Sequence, residues 1–237
     1  MRLLLGSGGF RTPERVAFFR EQLRSLVGDI DRLLFVPYAL RDHDAYLEAM
    51  TARGLDAGYR LDGIHRHDDP QLAVREAAAI FIGGGNTFRL LAGLYRHGLL
   101  DAIRERVRAG VPYVGISAGS NVACPTMQTT NDLPIVQPPS FRALGLVPFQ
   151  INPHYVYGQV LTKTGDGFQE QFGETRDERL REYHEMNDTP VVGLWEGAAL
   201  RVENGRLSLA GAAARLFRKG QEPRDLSPGA YLDELLA

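Results

Sequence analysis

Along the first half of the chain, short apolar runs alternate with stretches in which apolar residues recur at helical spacing. Leu3-Leu4-Leu5, Leu33-Leu34-Phe35-Val36, Ala79-Ile80-Phe81-Ile82 and residues 112–116 have the length expected of buried strands. Between them, Val16, Phe19, Leu23 and Leu26 follow Thr12-Pro13, an N-cap with a first-turn proline, and Gly28 stands where that helix should stop. Further helices are expected over residues 42–53, 71–77 and 99–108, and through Phe88, Leu91, Leu94 and Tyr95. Residues 59–65 are half polar and read as a strand nearer a sheet edge. Such alternation predicts an α/β fold, a mostly parallel sheet flanked by helices on both faces. Ligands of such sheets sit outside the carboxyl ends of the strands.

Past residue 121 the pattern loosens. Residues 129–134 are polar and turn-prone, and 149–154 read as a strand leading to an exposed histidine. Residues 155–172 are rich in glycine and polar groups, which predicts a mobile loop. Gly173-Glu174-Thr175-Arg176 opens a charged helix through about His184, and Val191 to Leu194 is another strand. Residues 200–209 form a hairpin around Asn204-Gly205, and residues 214–218 are expected to add a strand to it. No repeat, low-complexity segment or linker interrupts the chain, so a single domain over residues 1–237 is expected.

Composition narrows the function classes. A chain of 237 residues, 44% hydrophobic, can build one substantial core. The net charge of -2, with no long basic run, gives no footprint for nucleic acid or an anionic membrane surface. The apolar start at Leu3-Leu4-Leu5 is far shorter than a signal-peptide core or a membrane span, which points to a cytoplasmic protein. One cysteine, Cys124, excludes an intrachain disulfide and reads as a small buried hydrophobe. His65 and His67, at i and i+2 on a strand, would share a face and supply two metal ligands. No third is evident, and neither metal nor cofactor is expected.

The chemistry gathers at Gly115-Ile116-Ser117-Ala118-Gly119, which matches the G-x-S-x-G nucleophile elbow and follows directly from a strand. Ser117 is the candidate nucleophile. Ser120 ranks behind it, about one helical turn beyond the bend, where its side chain would follow the helix surface. A serine nucleophile needs a base, and His154, after a strand and a proline, is the strongest of the six histidines. Two acids compete to orient it, Asp132 in its polar turn and Glu196 just past the strand ending at Leu194. Topology leans toward Glu196 without settling the choice. The amides of Ala118 and Gly85 are the natural oxyanion donors. A phosphate-binding role for Gly83-Gly84-Gly85 lacks both the G-x-G-x-x-G spacing and a P-loop lysine.

Five blocks taken together carry a resemblance. They are residues 81–88 with Gly-Gly-Gly-Asn-Thr, residues 115–125 around Ser117, Thr129-Thr130-Asn131-Asp132-Leu133-Pro134-Ile135, Gln150-Ile151-Asn152-Pro153-His154, and Gly173-Glu174-Thr175-Arg176. In this order they resemble peptidase E, the α-aspartyl dipeptidase family of serine peptidases. The resemblance implies a fold like that of class I glutamine amidotransferases (flavodoxin-like), here with a C-terminal β-hairpin. It also implies hydrolysis of dipeptides and short peptides bearing an N-terminal aspartate. By the matching blocks, Ser117 would be the nucleophile and His154 the base, while Asp132 and Glu196 both fall on acids implicated in the family. Arg176 would bind the aspartyl carboxylate of the substrate, with Asn86 and Thr130 as further substrate contacts. The expected partner is a small peptide, with no nucleic acid or membrane, and the protein a monomer or homodimer. A cyanophycinase-like β-aspartyl peptidase and a non-catalytic binding homologue are the competing readings. Three departures stand out: a long segment at residues 155–172, Ile116 before the nucleophile, where some members carry tryptophan, and Ser7-Gly8-Gly9 after the first strand in place of a more polar loop, the last two touching pocket shape more than the catalytic core.

Overall fold

The computed structural model describes the backbone of residues 1–237 and every side chain except those of Val160 and Gln171. The first half alternates as its apolar runs dictate. The order is β1 (Leu3–Gly6), α1 (Pro13–Val27), β2 (Arg32–Val36), α2 (His43–Ala52), β3 (Arg60–Gly63), α3 (Pro70–Glu76), β4 (Ile80–Ile82), α4 (Thr87–Arg96), α5 (Leu99–Arg108), β5 (Tyr113–Ile116) and α6 (Ala118–Asn121). The second half adds β6 (Gln150–Asn152), β7 (Val160–Thr164), β8 (Gly167–Gln171), α7 (Arg176–Met186), β9 (Val191–Leu194), β10 (Ala198–Glu203), β11 (Arg206–Gly211), β12 (Ala214–Phe217) and β13 (Arg224–Leu226). Helix starts are held by side chains at the expected places. Thr12, Asp42, Asp69 and Asn86 each accept an amide of the first turn, and Thr175 with Glu178 forms a capping box at α7.

Seven strands form the main sheet in the order β11-β10-β1-β5-β4-β2-β3, with β1, β5, β4, β2 and β3 parallel and the β10–β11 hairpin antiparallel on β1. Both faces are buried, which explains why the strands read as unbroken apolar runs. Leu3, Leu5, Leu34, Val36, Ile80 and Ile82 point to the face covered by α3, α4 and α5. Leu4, Leu33, Phe35, Phe81 and Val114 point to the face covered by α1 and α2.

The second half departs from expectation in three places. A second sheet, in the order β13-β12-β9-β6, takes up β6 and β9 as parallel neighbours, so neither joins the main sheet. Its residues Ile151, Val192, Leu194 and Leu216 pack into the first of the two cores, while Val191 and Phe217 meet Tyr155 and Leu180 on its other side. Residues 214–217 therefore pair with β9 rather than extend the β10–β11 hairpin. Residues 155–172, expected as a mobile loop, contain the antiparallel β7–β8 hairpin, paired only within itself and with Leu161 and Phe168 exposed. At the other edge, β3 stops at Gly63 and the chain turns into a short 3-10 helix at Ile64–Arg66. His65 and His67 consequently do not share a strand face; His65 bonds Asp44 and His67 bonds Asp62.

Candidate active site

The carboxyl ends of β1, β4 and β5, neighbours in the main sheet, meet the carboxyl ends of β6 and β9 from the second. The two edges are stitched through one small side chain. Ser7, just past β1 and fully buried, donates its Oγ hydrogen to the Leu194 carbonyl (3.0 Å) and accepts the His154 amide (2.9 Å). The Ser7 amide bonds the Ala198 carbonyl and the Gly197 amide bonds the Gly8 carbonyl, so the ends of β1 and β9 and His154, two residues past β6, are fixed together.

At this junction the elbow forms as its glycines require. Ser117 sits at φ 53°, ψ −109°, in the positive-φ region that costs a residue with a side chain about 1–3 kcal/mol. It is held there by its amide on the Gly6 carbonyl and its own carbonyl on the Asn121 amide, both 2.9 Å. A methyl group at Gly119 would overlap the Ile82 carbonyl of β4, and one at Gly115 would press on the backbone of Gly119. Ser120 does not lie along the helix surface as its spacing suggested. It is buried, with Oγ between the carbonyls of Gly6 (2.7 Å) and Gly115 (2.9 Å), and braces the elbow.

Three of the expected residues come together. Ser117 Oγ lies 2.7 Å from His154 Nε2, and His154 Nδ1 lies 2.7 Å from Glu196 Oε1. His154, like Ser117, has a positive φ, 55°. A carboxylate on Nδ1 holds the proton there and leaves Nε2 free to accept from the serine. Glu196 is held below the usual carboxylate range, first by the hydrogen bond from His154, then by the charges of His154, Arg15 and Arg11, against opposing partial burial. It therefore stays ionised at neutral pH. Gly8 and Gly9 line this pair: a methyl at Gly8 would stand 3.0 Å from His154 Cε1, and one at Gly9 would overlap Glu196. From sequence, Gly8 and Gly9 stood out only as part of a loop that bears on pocket shape; the structure sets them against the His154–Glu196 pair itself.

Asp132 goes elsewhere. Its Oδ2 accepts from the Thr87 amide (2.7 Å), Thr87 Oγ1 (2.6 Å) and Thr130 Oγ1 (3.0 Å), fastening residues 130–132 to the start of α4. Asn86 is also occupied, with Oδ1 capping α4 and Nδ2 on the Leu133 carbonyl. The side chains of Asn86 and Thr130, expected to meet substrate, thus make internal bonds that build this corner. Asn131, between Thr130 and Asp132, reaches the Pro153 carbonyl (2.6 Å) and Asn152 (2.8 Å), which ties the same corner to the residue before the histidine.

The glycine that touches the serine is Gly84, where an added Cβ would lie 3.1 Å from Ser117 Cβ. Gly85 turns its Cα toward Ala39 and Leu40. The amides of Gly84, Gly85 and Ala118 find no backbone acceptor among the described residues. Arg176 stands apart, at the first position of α7, on a cavity of about 280 Å³ lined by Val156, Gln159, Phe172 and Arg179, with neither Ser117 nor His154 in its wall. It is half-buried and has no acidic partner among the described residues; burial, then the charge of Arg179, lowers its pKa. Its neighbour Asp177 is buried and accepts from Tyr155, the residue after His154, so the start of α7 is tied to the chain beside His154.

A sequence profile described as Peptidase family S51 matches residues 2–210. The chain is similar to Peptidase E of Streptomyces coelicolor, 54% identical over 206 residues, covering 86% of this chain and 82% of that one. It is also similar to a Drosophila melanogaster protein named "Probable alpha-aspartyl dipeptidase", 45% identical over 238 residues, covering 99% and 96%. The crystal structure of a peptidase from an acI-B1 Actinobacterium shares the fold, with a TM-score of 0.68 at 18% identity, covering 98% of this chain and 96% of the other. Elbow, fold and sequence agree, and the chain belongs to peptidase family S51.

Proposed function

We propose that this serine peptidase hydrolyses dipeptides and short peptides with an N-terminal α-aspartyl residue through an acyl-enzyme. The observation that carries the mechanism is the unbroken chain of hydrogen bonds from Ser117 to His154 to Glu196. His154 Nε2 takes the hydroxyl proton as Ser117 Oγ attacks the carbonyl carbon, and Glu196 stabilises the imidazolium that forms. The oxyanion then lies before the unpaired amides of Ala118 and the Gly84–Gly85 loop. His154 returns the proton to the leaving amine, which departs as the tetrahedral carbon collapses to the Ser117 ester. Water, deprotonated by His154, opens the ester and regenerates the serine.

Aspartate selectivity rests on two grounds: the name of the Drosophila relative and the situation of Arg176. A guanidinium at the first turn of a helix faces an unfavourable dipole, and this one is half-buried with no ion-pair partner among the described residues, the Glu174 of its cavity being bound to Arg179. A substrate carboxylate would relieve both, in the bidentate geometry that arginine favours.

The test is hydrolysis of an Asp-X dipeptide series beside Glu-X, Asn-X and β-Asp-X controls. Wild type should cleave Asp-X, Ser117→Ala should lose at least about 10³-fold in kcat, and Arg176→Ala should lose mainly the preference for aspartate. Intact Asp-X with cleaved β-Asp-X would shift the reading to β-linked peptides. No cleavage of either by folded wild type would sink the aspartyl assignment.

A further inference from the structure

Beside α4 lies a cavity of about 370 Å³ whose wall contains Tyr38, Leu40, Arg41, His43, Arg89, Arg96 and His97, together with Ile135 and Val136. No aspartate or glutamate lines it, in a chain whose 29 acids outnumber its 27 lysines and arginines. None of the three arginines forms an ion pair or a side-chain hydrogen bond among the described residues. The acids nearest His43 are already engaged: Asp42 caps α2, and Asp44 accepts from Arg66 and His65.

Helix stability does not account for this cluster. Arg89 and Arg96, seven residues apart, share one face of α4 with Ala92 and Gly93. Arg96 complements the carbonyl end of the helix, but Arg89 stands in the first turn, where the dipole disfavours a cation and where α4 carries no acid. Arg41 and His43 likewise flank the cap of α2. The floor is preorganised. Gly93 admits the Tyr38 side chain, whose ring stacks on His97 (5.0 Å between centroids, 20°) and leans on His43 (5.4 Å). Ile135 and Val136, both exposed, add an apolar wall to the cavity.

We propose that this cavity binds a small organic polyanion, a carbon body bearing two or more carboxylate or phosphate groups, at a site separate from Ser117. Three guanidiniums supply donors for several anionic oxygens. The cavity is large enough for a compact metabolite, and its apolar wall suits a carbon body better than a bare ion.

Isothermal titration at pH 7 and fixed ionic strength, with citrate, fructose 1,6-bisphosphate and inorganic phosphate as probes, tests this. Citrate or the bisphosphate should bind in the submillimolar range, and inorganic phosphate more weakly. Binding should weaken at least about tenfold in Arg89→Gln/Arg96→Gln and stay unchanged in Arg176→Gln. Whichever organic probe binds tells carboxylate from phosphate. Arg96→Gln alone, at an exposed position, serves if the double variant unfolds, and should also weaken binding. No binding of either organic probe, or binding that the Arg89 and Arg96 substitutions leave untouched, would overturn the site.

Discussion

At the scale of single residues, two acids that the sequence left as rivals have different surroundings, and this separates their mutants. Glu196→Gln keeps a hydrogen-bond acceptor for His154 Nδ1 but removes the charge. We expect kcat to fall by about 10²–10⁴-fold with KM little changed, measured on an Asp-X dipeptide. Asp132→Asn instead disturbs three bonds that fasten residues 130–132 to α4. Its main cost should be stability, about 1–3 kcal/mol in urea unfolding, with any fall in kcat smaller than that of Glu196→Gln. Equal kinetic damage from both would contradict this division. The acid limb carries a second signature. Because the folded pKa of Glu196 is depressed, the stability it contributes is fully present above the unfolded value of about 4.3 and is lost as pH falls through the lower folded value. Thermal unfolding followed from pH 7 to pH 3 should therefore show a smaller acid loss in Glu196→Gln than in wild type. Sequence could offer Glu196 because it follows a strand, but that Glu196 rather than Asp132 meets His154 follows only from the second sheet, which brings β9 beside β6. Ser7 was less legible still. A serine after a strand is ordinary until its hydroxyl is seen accepting the amide of the histidine.

At the scale of elements, the first half of the fold was legible because both faces of its sheet are covered, and burial then writes each strand as an apolar run. The second half was not, since sheet membership depends on partners far along the chain and no local pattern encodes them. Residues 214–217 could extend a hairpin or pair with β9, and only the packing of Leu216 into the shared core decides. Residues 155–172 read as loop because an exposed hairpin lacks a buried face to impose alternation. Shortening that hairpin between Gln159 and Phe172 to a Gly-Ser linker should accordingly shift Tm by less than the roughly 2–4 °C that 1 kcal/mol represents at this size. The same change should raise KM for Asp-X, because Gln159 and Phe172 line the cavity of Arg176. The elbow behaves oppositely. Gly119→Ala drives a methyl into the β4 backbone and should cost at least about 1–3 kcal/mol together with activity, while Gly173→Ala, with nothing near its added carbon, should leave Tm unchanged.

At the scale of the whole molecule, the two sheets meet across one core, and the single cysteine reports on that meeting. Cys124 is fully buried, packs in the core that Leu3, Ile151 and Leu194 also share, and bonds the Ser120 carbonyl behind the elbow. Burial pushes its thiol well above the ordinary range, so the reactive thiolate is absent from the native state. Any labelling must pass through an opening that parts the sheets. If the chain opens there only by unfolding completely, the free energy from labelling, referred to the rate for unfolded protein at the same pH, will match that from urea denaturation. A domain of this kind places that value at about 5–15 kcal/mol. If the second sheet can lift from the first on its own, labelling will give a value several kcal/mol smaller and insensitive to low urea, the mark of a sub-global opening. We expect the first outcome, because the bonds of Ser7 cross the same junction as the contact of Ser117 with His154. Ser7→Ala should then lower both values together by about 1–3 kcal/mol, since it strips the His154 amide of its acceptor. A drop confined to the labelling value would mean instead that Ser7 holds the active site closed without holding the molecule folded.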